Sequence, residues 1–213
     1  MNLKRFIRNP DGGFRGIQFG HRGGHLIVLT LILQPGRFIR HKACGFEFGR
    51  HLGYFEGDRL EPEYSNVPGQ WNTIWFTPGS TGSLQHTTIK NSQIGILADG
   101  NSGNTNHDLE LKNVQIYNSS AVGLYAVNAA VAGENLVIGN SGISNLWLRQ
   151  GGKYSFTHST FANYWDQSFR NTPAVQIDNF LETEDELFVA DLEAATFINC
   201  IIYGSASREL GLT

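Results

Sequence analysis

Five short phrases in this chain share one spacing pattern, which restricts the fold more than any other feature. In each phrase an asparagine stands two positions after a large apolar residue, as in IKNSQIG at 89–95. The asparagines are Asn91, Asn118, Asn140, Asn163 and Asn199, and the apolar residues are Ile89, Ile116, Ile138, Phe161 and Phe197. Successive asparagines are 27, 22, 23 and 36 residues apart. These intervals indicate one structural unit that repeats along the chain.

Two further columns keep the same register. Seven residues before the asparagines stand Leu84, Leu111, Gly133, Phe156 and Leu192, of which four are apolar. Five residues before them stand His86, Asn113, Asn135, His158 and Ala194, of which four are polar. A chance recurrence of Asn-Ser would not hold several columns at once. We therefore interpret His86 and His158 as turn residues that stack on one another rather than as ligands.

The local pattern of each phrase is that of a β-strand. Apolar and polar residues alternate over short runs that end in Asn, Ser or Gly, as at 114–117. Only 182–195, ETEDELFVADLEAA, has a pattern that suits a turn or two of helix. Short strands bury a face when each repeat makes one circuit and stacks on the last. The sequence thus predicts an all-β chain, a parallel β-helix with coils of about 22–27 residues.

The asparagine column is predicted to be a structural ladder. In a parallel β-helix the apolar file points inward, and the asparagines stand at the bends between strands. Asparagine tolerates the left-handed conformation of a bend, and stacked asparagines share amide hydrogen bonds. The predicted role of this column is therefore to stabilise the fold rather than to bind a ligand. Its members are Asn91, Asn118, Asn140, Asn163 and Asn199.

From about Glu56 onward the sequence is similar to a known group of proteins. The phrases are GDRLEPEY, PGQW, IWFTPGS, IKNSQIGI, NVQIYNSSAVGL, ENLVIGNSG, FTHSTFANYW and NCIIYG. They resemble uncharacterised right-handed parallel β-helix proteins of the pectate-lyase-like superfamily, which Bacteroidetes-type bacteria encode as secreted or lipid-anchored surface proteins. The resemblance implies a right-handed solenoid and an extracellular or outer-membrane location. It implies no activity, because the group has none assigned.

Two regions of different character make up the chain. Residues 1–52 carry nine Lys and Arg against two acids, whereas 53–213 carry seven against seventeen. The first region is expected to be atypical, disordered or translated out of frame, and not a nucleic-acid-binding arm. The second is expected to be the β-helix domain, truncated at its C-terminal end. We expect no signal peptide, because MNLKRFIR leads into a Gly-rich stretch and not an apolar one.

Catalytic signatures of the superfamily are not found in 53–213. The resemblance would imply a carboxylate-bound Ca²⁺ with a basic residue in a lyase, or paired Asp with Gly-His-Gly and Arg-x-Lys in a hydrolase. We predict no catalytic residue, metal or cofactor in this chain. The alternative is a polysaccharide lyase or glycoside hydrolase whose active coils are missing. Clustering of Asp99, Asp108, Asp166 and Arg149 on one face would favour that alternative.

Two other stretches of the sequence each allow a structural and a functional interpretation. The stretch DGNSGNTNHD at 99–108 is interpreted as a flexible corner loop, with a cation site as the alternative. The acidic run within 178–193 is interpreted as a solvated insertion rather than a metal cage. The two cysteines, Cys44 and Cys200, are expected to be unpaired.

A group of aromatic and basic residues predicts contact with a polysaccharide or cell-surface glycan. Its members are Trp147, Arg149, Lys153, Tyr154, Tyr164 and Trp165. Sugar rings dock on flat aromatic faces in polar grooves, although the same aromatics also suit a core. No segment reaches the about 20 apolar residues of a membrane span. The predicted function is a non-catalytic, structural or adhesive module, with its oligomeric state open.

Overall fold

A computed structural model describes residues 15–20, 26–32, 39–41, 53–57, 59, 61–100, 107–183 and 186–213. This part of the chain is all-β, and its helical content is one 3-10 turn, Pro62–Tyr64. No helix in it has the length and apolar character needed to cross a bilayer. The strands are β1 (Arg15–Gly20), β2 (Leu26–Ile32), β3 (Ile39–His41), β4 (Gly53–Gly57), β5 (Thr73–Phe76), β6 (Gly82–Lys90), β7 (Ile94–Asp99), β8 (Leu109–Ser119), β9 (Val122–Val127), β10 (Ala130–Glu134), β11 (Val137–Ser141), β12 (Ser144–Arg149), β13 (Gly152–Thr157), β14 (Thr160–Asn163), β15 (Val175–Ile177), β16 (Phe180–Glu182), β17 (Leu187–Val189), β18 (Leu192–Ile198), β19 (Ile201–Gly204) and β20 (Leu210–Leu212).

Most strands belong to two sheets that are largely parallel. Sheet A has the order β1-β2-β5-β7-β9-β12-β15-β20, and its neighbours are parallel from β5 onward. Sheet B contains the path β18-β13-β10-β8-β11-β14-β19, with β6 parallel on β8 and β4 parallel on β6. Strands β16 and β17 form a separate antiparallel hairpin.

From β6 onward the chain passes back and forth between the two sheets. The chain passes through sheet B and then sheet A as β6–β7, β8–β9, β10–β12 and β13–β15, and again as β18–β20. We call each such passage a circuit. The long strand β8 pairs through its first half with β10 and through its second half with β11, so sheet B has two halves. Every circuit therefore pairs in parallel with the equivalent strands of the next one.

The repeated apolar residues become one buried file. Ile89 pairs with Ile116, Ile116 with Ile138 and Ile138 with Phe161, and all four are fully buried. Sheet A contributes a second buried file in register, formed by Ile74, Ile96, Leu124, Leu146 and Val175. Both files belong to one core cluster. Each such side chain contributes about 1.5–3 kcal/mol when it is buried.

Two columns of residues bend the chain in the left-handed conformation. Within sheet B, His86, Asn113, Asn135 and His158 have φ of 49°, 54°, 54° and 52°. At the end of sheet B, Asn91, Asn118 and Asn140 have φ of 61°, 63° and 52°. The Nδ2 of Asn118 donates to Oδ1 of Asn91 at 2.6 Å, and the Nδ2 of Asn135 donates to Oδ1 of Asn113 at 2.7 Å.

Asn163 and Asn199 depart from the predicted ladder. Asn163 is fully buried, and its side chain bonds the backbone N–H and C=O of Ser141. The prediction that Asn199 is the fifth member of the asparagine ladder is wrong. Gly204 is the residue that pairs with Asn163, and Phe197 pairs with Phe156. Asn199, with φ of 53°, therefore belongs to the column of His158. Both columns contain asparagines, and the insertion between β14 and β18 has no fixed length. The spacing alone therefore does not show that the true equivalent of Asn163 lies five residues after Asn199.

The predicted helix at 182–195 is also wrong. This stretch contains the end of β16, all of β17 and the start of β18. Phe180–Glu182 pairs antiparallel with Leu187–Val189, and β18 then joins sheet B. Pairing with the preceding circuit overrides the weak local preference for helix.

Three described strands lie within residues 1–52. Strand β1 pairs antiparallel with β2, β2 with β5, and β3 with β4. Parallel pairing begins with β4 on β6, so the change of pairing coincides with the predicted boundary at residue 53. That residues 1–52 as a whole are disordered or out of frame stays a prediction.

Replacing Asn118 by Ala is expected to lower the free energy of unfolding by about 1–3 kcal/mol. The change forces alanine into a left-handed backbone and removes the side-chain donor to Asn91 and to the Asn66 carbonyl. Urea denaturation measures the effect. The matched control is Asn118→Gly, which keeps the backbone conformation and should lose less. Equal stability of wild type and Asn118→Ala would contradict the structural role of the column.

Candidate functional site

The six predicted glycan contacts lie in three different places. Trp147 and Arg149 are on β12 in sheet A, and Lys153 is exposed on β13 in sheet B. Tyr164 and Trp165 lie in the segment 164–174, which connects β14 to β15. The structure therefore brings Trp147 together with Arg149, and Tyr164 together with Trp165, but it does not unite the set.

The prediction that Tyr154 contacts a glycan is wrong, because Tyr154 is a core residue. It is fully buried, and its hydroxyl donates to the Gly151 carbonyl at 2.8 Å. Side chains alternate along a strand, so the outward position of Lys153 turns Tyr154 inward. Burial raises the pKa of the Tyr154 phenol, which keeps it neutral.

A row of large side chains crosses the outer face of sheet A. It consists of Trp75, Leu97, Tyr125, Trp147 and Gln176, which pair in register on β5, β7, β9, β12 and β15. All five are half-buried, whereas the residues before and after them in sequence face the core. Because neighbouring strands are about 4.8 Å apart, the row presents one side chain at each step across the sheet.

Tyr125 and Trp147 lie at the centre of this row, and Arg149 lies beside them, two residues after Trp147 on β12. The ring centroids of Tyr125 and Trp147 are 5.5 Å apart, with an interplanar angle of 52°. The Arg149 guanidinium carbon lies 4.9 Å from the Trp147 ring centroid, within the range of a cation–π interaction. Arg149 Nη1 also donates to the Tyr125 hydroxyl at 3.4 Å. The guanidinium of Arg149 is thereby held against the Trp147 ring and the Tyr125 hydroxyl.

Asp178 fixes the orientation of these side chains. Its carboxylate is 2 % exposed and accepts a hydrogen bond from Trp147 Nε1 at 2.6 Å. It also accepts bonds from Gln176 Nε2 and from the Thr213 hydroxyl, and it lies 3.7 Å from Arg149 Nε. Asp178 directly follows β15, whose Ile177 pairs with Leu148, so it stands beside Arg149. We call this group the sheet A cluster; its members are Tyr125, Trp147, Arg149, Gln176, Asp178 and Thr213.

Four members of the sheet A cluster, Tyr125, Gln176, Asp178 and Thr213, were missed by the sequence prediction. Tyr125 lies within VGLYAV, where its outward position depends on the register of β9. Asp178 begins the stretch 178–193, in which only the acidic run ETEDE is interpreted as a solvated insertion, and no role was predicted for Asp178. The alternation in Gln176-Ile177-Asp178 is the local signal that this aspartate directly follows a strand.

The four residues that would favour an enzyme do not form one group. Asp99 and Arg149 stand in the same column of sheet A, separated by Val127, and burial raises the pKa of Asp99. Asp108 is buried at the start of β8, where its Oδ2 accepts the Ala130 N–H at 2.8 Å. Asp166 is exposed in the segment 164–174.

Metal binding finds no support in the described part of the chain. There, no group of three or more His, Cys, Asp or Glu side chains is arranged to hold an ion. The predicted corner loop, or alternatively cation site, at 99–108 includes residues 101–106, which lie outside the described residues.

A second aromatic group is attached to the segment 164–174. Tyr164 and Tyr203 have ring centroids 5.9 Å apart and are 52 % and 60 % exposed. Phe169, in the same segment, is 90 % exposed. Trp165 is half-buried and donates through Nε1 to Ser168 at 2.8 Å. These rings lie on or beside an insertion rather than on a sheet face.

Arg170 and Glu209 hold this segment against the last strands. Arg170 donates to both carboxylate oxygens of Glu209, at 3.0 and 2.7 Å, and to the Asn163 carbonyl at 3.1 Å. Their side chains are 2 % and 11 % exposed. Burial alone would raise the pKa of Glu209, but hydrogen bonds from Arg170 and from the Ala206 and Ala174 N–H groups lower it below its usual range. We call this pair the loop clamp.

A shallow cleft of about 430 Å³ lies on the outer face of sheet B. Its lining includes Gln85, Glu110, Lys112, Ala132, Glu134 and Thr157. Lys112 and Glu134 pair at 2.8 Å, but about half of each side chain is exposed. Exposed pairs contribute at most about 1 kcal/mol, and no aromatic ring lines this cleft. The sheet A cluster is therefore the better candidate site.

Comparisons with known proteins give no functional assignment for this chain. A scan against protein-family models found no match, and searches of curated proteins and of solved structures found none. The resemblance to pectate-lyase-like proteins stays a prediction.

Proposed function

We propose that this chain is a non-catalytic module with a right-handed parallel β-helix of the pectate-lyase-like type, and that it binds a glycan at the sheet A cluster. The module is structural or adhesive, and it belongs to a secreted or surface-exposed bacterial protein. The observation that carries the binding proposal is the Trp147 ring, which Asp178 orients beside Tyr125 and Arg149.

The parallel circuits support the proposed winding. Equivalent strands of successive circuits pair in register, and the repeated residues lie above one another. Parallel strands joined by a crossover are right-handed in about 98% of cases. The left-handed bends at the asparagine columns supply the corners that such a winding requires.

The chemistry of the sheet A cluster suits a sugar. An aromatic face binds the C–H side of a pyranose ring, and polar groups at its edge bond the hydroxyls. Tyr125 and Trp147 supply the face, while Arg149 and Gln176 supply donors beside it. Because the cluster is fixed by hydrogen bonds before any ligand arrives, binding costs little ordering of side chains.

The full chain should bind at least one member of a glycan array, and Trp147→Ala should weaken that binding about tenfold or more. Loss of a stacking face of this size corresponds to at least about 1.4 kcal/mol of binding free energy. Isothermal titration calorimetry measures the affinity, and the melting temperature confirms that the variant is folded. The matched control is Tyr117→Ala, a half-buried tyrosine on sheet B.

Two outcomes would contradict this assignment. One is unchanged affinity of Trp147→Ala, and the other is no binding to any member of the array. A parallel Tyr164→Ala variant separates the sheet A cluster from the aromatic group on 164–174. Release of reducing ends or of an unsaturated, ultraviolet-absorbing product would instead favour the polysaccharide lyase or glycoside hydrolase.

A further inference from the structure

The row of large side chains on the outer face of sheet A extends well beyond the sheet A cluster. From Trp147 it runs over Tyr125 and Leu97 to Trp75, with one side chain on each of four neighbouring strands. We call these four residues the apolar strip. Three steps of about 4.8 Å make the strip about 14 Å long between its outermost Cα atoms. A ligand that contacted only the cluster would leave most of this length unused.

The strands that carry the apolar strip have neighbours on both sides. Strand β5 pairs with β2 as well as with β7, and β12 pairs with β15 as well as with β9. All four side chains of the strip are half-buried, whereas the residues before and after each of them in sequence are buried in the core. The strip therefore belongs to a sheet face and not to a sheet edge. A strand added to sheet A would extend the sheet sideways and would not cover this face.

The spacing of the apolar strip matches that of a linear polysaccharide. In an extended β-1,4-linked chain of pyranose rings, each ring advances by about the distance between two paired strands. A chain that lies across the strands thus meets one apolar side chain with each successive ring. Alternate rings of such a chain are turned over, but both faces of the ring carry C–H groups, so each ring packs against an apolar side chain.

The charges on this face favour an uncharged polymer. Strands β5, β7, β9, β12 and β15 contain two charged residues, Asp99 and Arg149. The charge of Arg149 is balanced by the buried Asp178 carboxylate, 3.7 Å from Nε, and the Arg149 side chain is only 17 % exposed. Asp99 adds a negative charge. A chain of uronates or sulfated sugars would need several free cations, which these five strands do not supply.

The column beside the apolar strip supplies polar groups that suit sugar hydroxyls. Asp99 and Arg149 stand in this column, two residues after Leu97 and Trp147 on the same strands. A carboxylate accepts hydrogen bonds and a guanidinium donates them, whereas a hydroxyl does both. The column can therefore bond the hydroxyls along one edge of a sugar chain without requiring charge on the ligand.

We propose that the ligand of this site is a neutral, linear polysaccharide of β-1,4-linked pyranose rings. It lies along the direction in which the circuits stack, with one ring on each strand of the apolar strip. Four rings span the strip from Trp75 to Trp147. This assignment rests on the proposed function, since it names the ligand class for the same site. It adds the requirement that the chain is uncharged and long enough to reach Trp75.

Isothermal titration calorimetry tests the ligand class with β-1,4-linked oligomers of glucose, mannose and xylose, from disaccharide to hexasaccharide, and with hexagalacturonate. At least one neutral series should bind, with an affinity that rises about tenfold or more from disaccharide to tetrasaccharide and then levels off. Hexagalacturonate should bind at least about tenfold more weakly than the neutral hexasaccharide. The affinity for the neutral tetrasaccharide should be equal at about 0.05 M and 0.5 M salt, because no ion pair with the ligand is screened.

Trp75→Ala separates the apolar strip from the sheet A cluster. Trp75 lies three strands away from Trp147, so the variant should weaken tetrasaccharide binding about fivefold and leave disaccharide binding at the cluster unchanged. A general loss of structure would reduce both, and circular dichroism checks the fold. Trp75→Phe keeps an apolar ring and should restore most of the tetrasaccharide affinity. The matched control is Tyr117→Ala on sheet B, which should bind as wild type does.

Four results would overturn the neutral, linear ligand. They are tightest binding of hexagalacturonate, equal affinity for the disaccharide and the tetrasaccharide, unchanged tetrasaccharide binding by Trp75→Ala, and no binding of any neutral series. Hexagalacturonate binding that Trp147→Ala abolished would leave the proposed function intact and refute only the ligand class. Unchanged tetrasaccharide binding by Trp147→Ala would refute the site, and the ligand assignment with it.

Discussion

Phe156→Ala is expected to lower the free energy of unfolding by about 3–5 kcal/mol, the range for truncating a fully buried aromatic residue. Phe156 has no exposed surface. Its ring centroid lies 5.6 Å from that of Phe161 and 5.3 Å from that of Phe197. Because Phe197 belongs to the next circuit, the truncation opens a cavity that weakens the contact between two circuits as well as the packing within one.

Urea denaturation followed by circular dichroism measures this loss. Phe169→Ala is the matched control, since Phe169 is 90 % exposed and its truncation should change the stability by no more than about 0.5 kcal/mol. If both variants lost the same amount, Phe156 would not be a core residue. A loss below about 1 kcal/mol for Phe156→Ala would show that the neighbouring rings fill the space.

The second large effect is expected at the loop clamp. Arg170→Met should lower the free energy of unfolding by about 3–5 kcal/mol, because it leaves the buried Glu209 carboxylate without its cation. The Asn163 and Thr172 carbonyls lose a donor in the same step. The double variant Arg170→Met with Glu209→Leu removes both charges and should recover part of the loss. A double variant no more stable than Arg170→Met would contradict this account.

The loop clamp also predicts a pH dependence of stability. The pKa of Glu209 is lower in the folded chain than in the unfolded one, where it is about 4.3. The unfolded state therefore binds the proton more readily in acid, and the stabilisation is fully present above about pH 4.3 and falls as the pH drops through the folded pKa. The melting temperature of Glu209→Gln should thus lie below that of wild type near neutral pH and approach it in acid. A constant difference between the two would contradict the pKa shift.

The parts of the fold that sequence could predict are those in which one repeat follows another without insertion. Ile89, Ile116, Ile138 and Phe161 pair as their spacing implies, since each circuit between them adds only 22–27 residues. The prediction for Asn199 fails because the segment 164–174 and the β16–β17 hairpin lengthen the circuit before it. Two columns with the same residue type and the same backbone conformation are then indistinguishable without the pairing.

The candidate site was predicted only in its centre. Trp147 and Arg149 are two residues apart on one strand, so their common face follows from alternation alone. Tyr125 and Asp178 join them from neighbouring circuits, and their positions depend on long-range register. Tyr154 was misplaced for the same reason, since an aromatic residue in a short strand carries no local sign of which face is buried.

Pairing between successive circuits limits how far a change in one part of the molecule is felt. Within the described strands, each circuit pairs only with the circuit before it and the circuit after it. In the proposed β-helix, which would be a one-dimensional array, stability should be close to a sum of the units and the contacts between neighbours. Substitutions two or more circuits apart should therefore be nearly additive. A substitution in sheet A near β7 should not affect the packing around β18. The sequences of distant circuits can therefore change independently of one another.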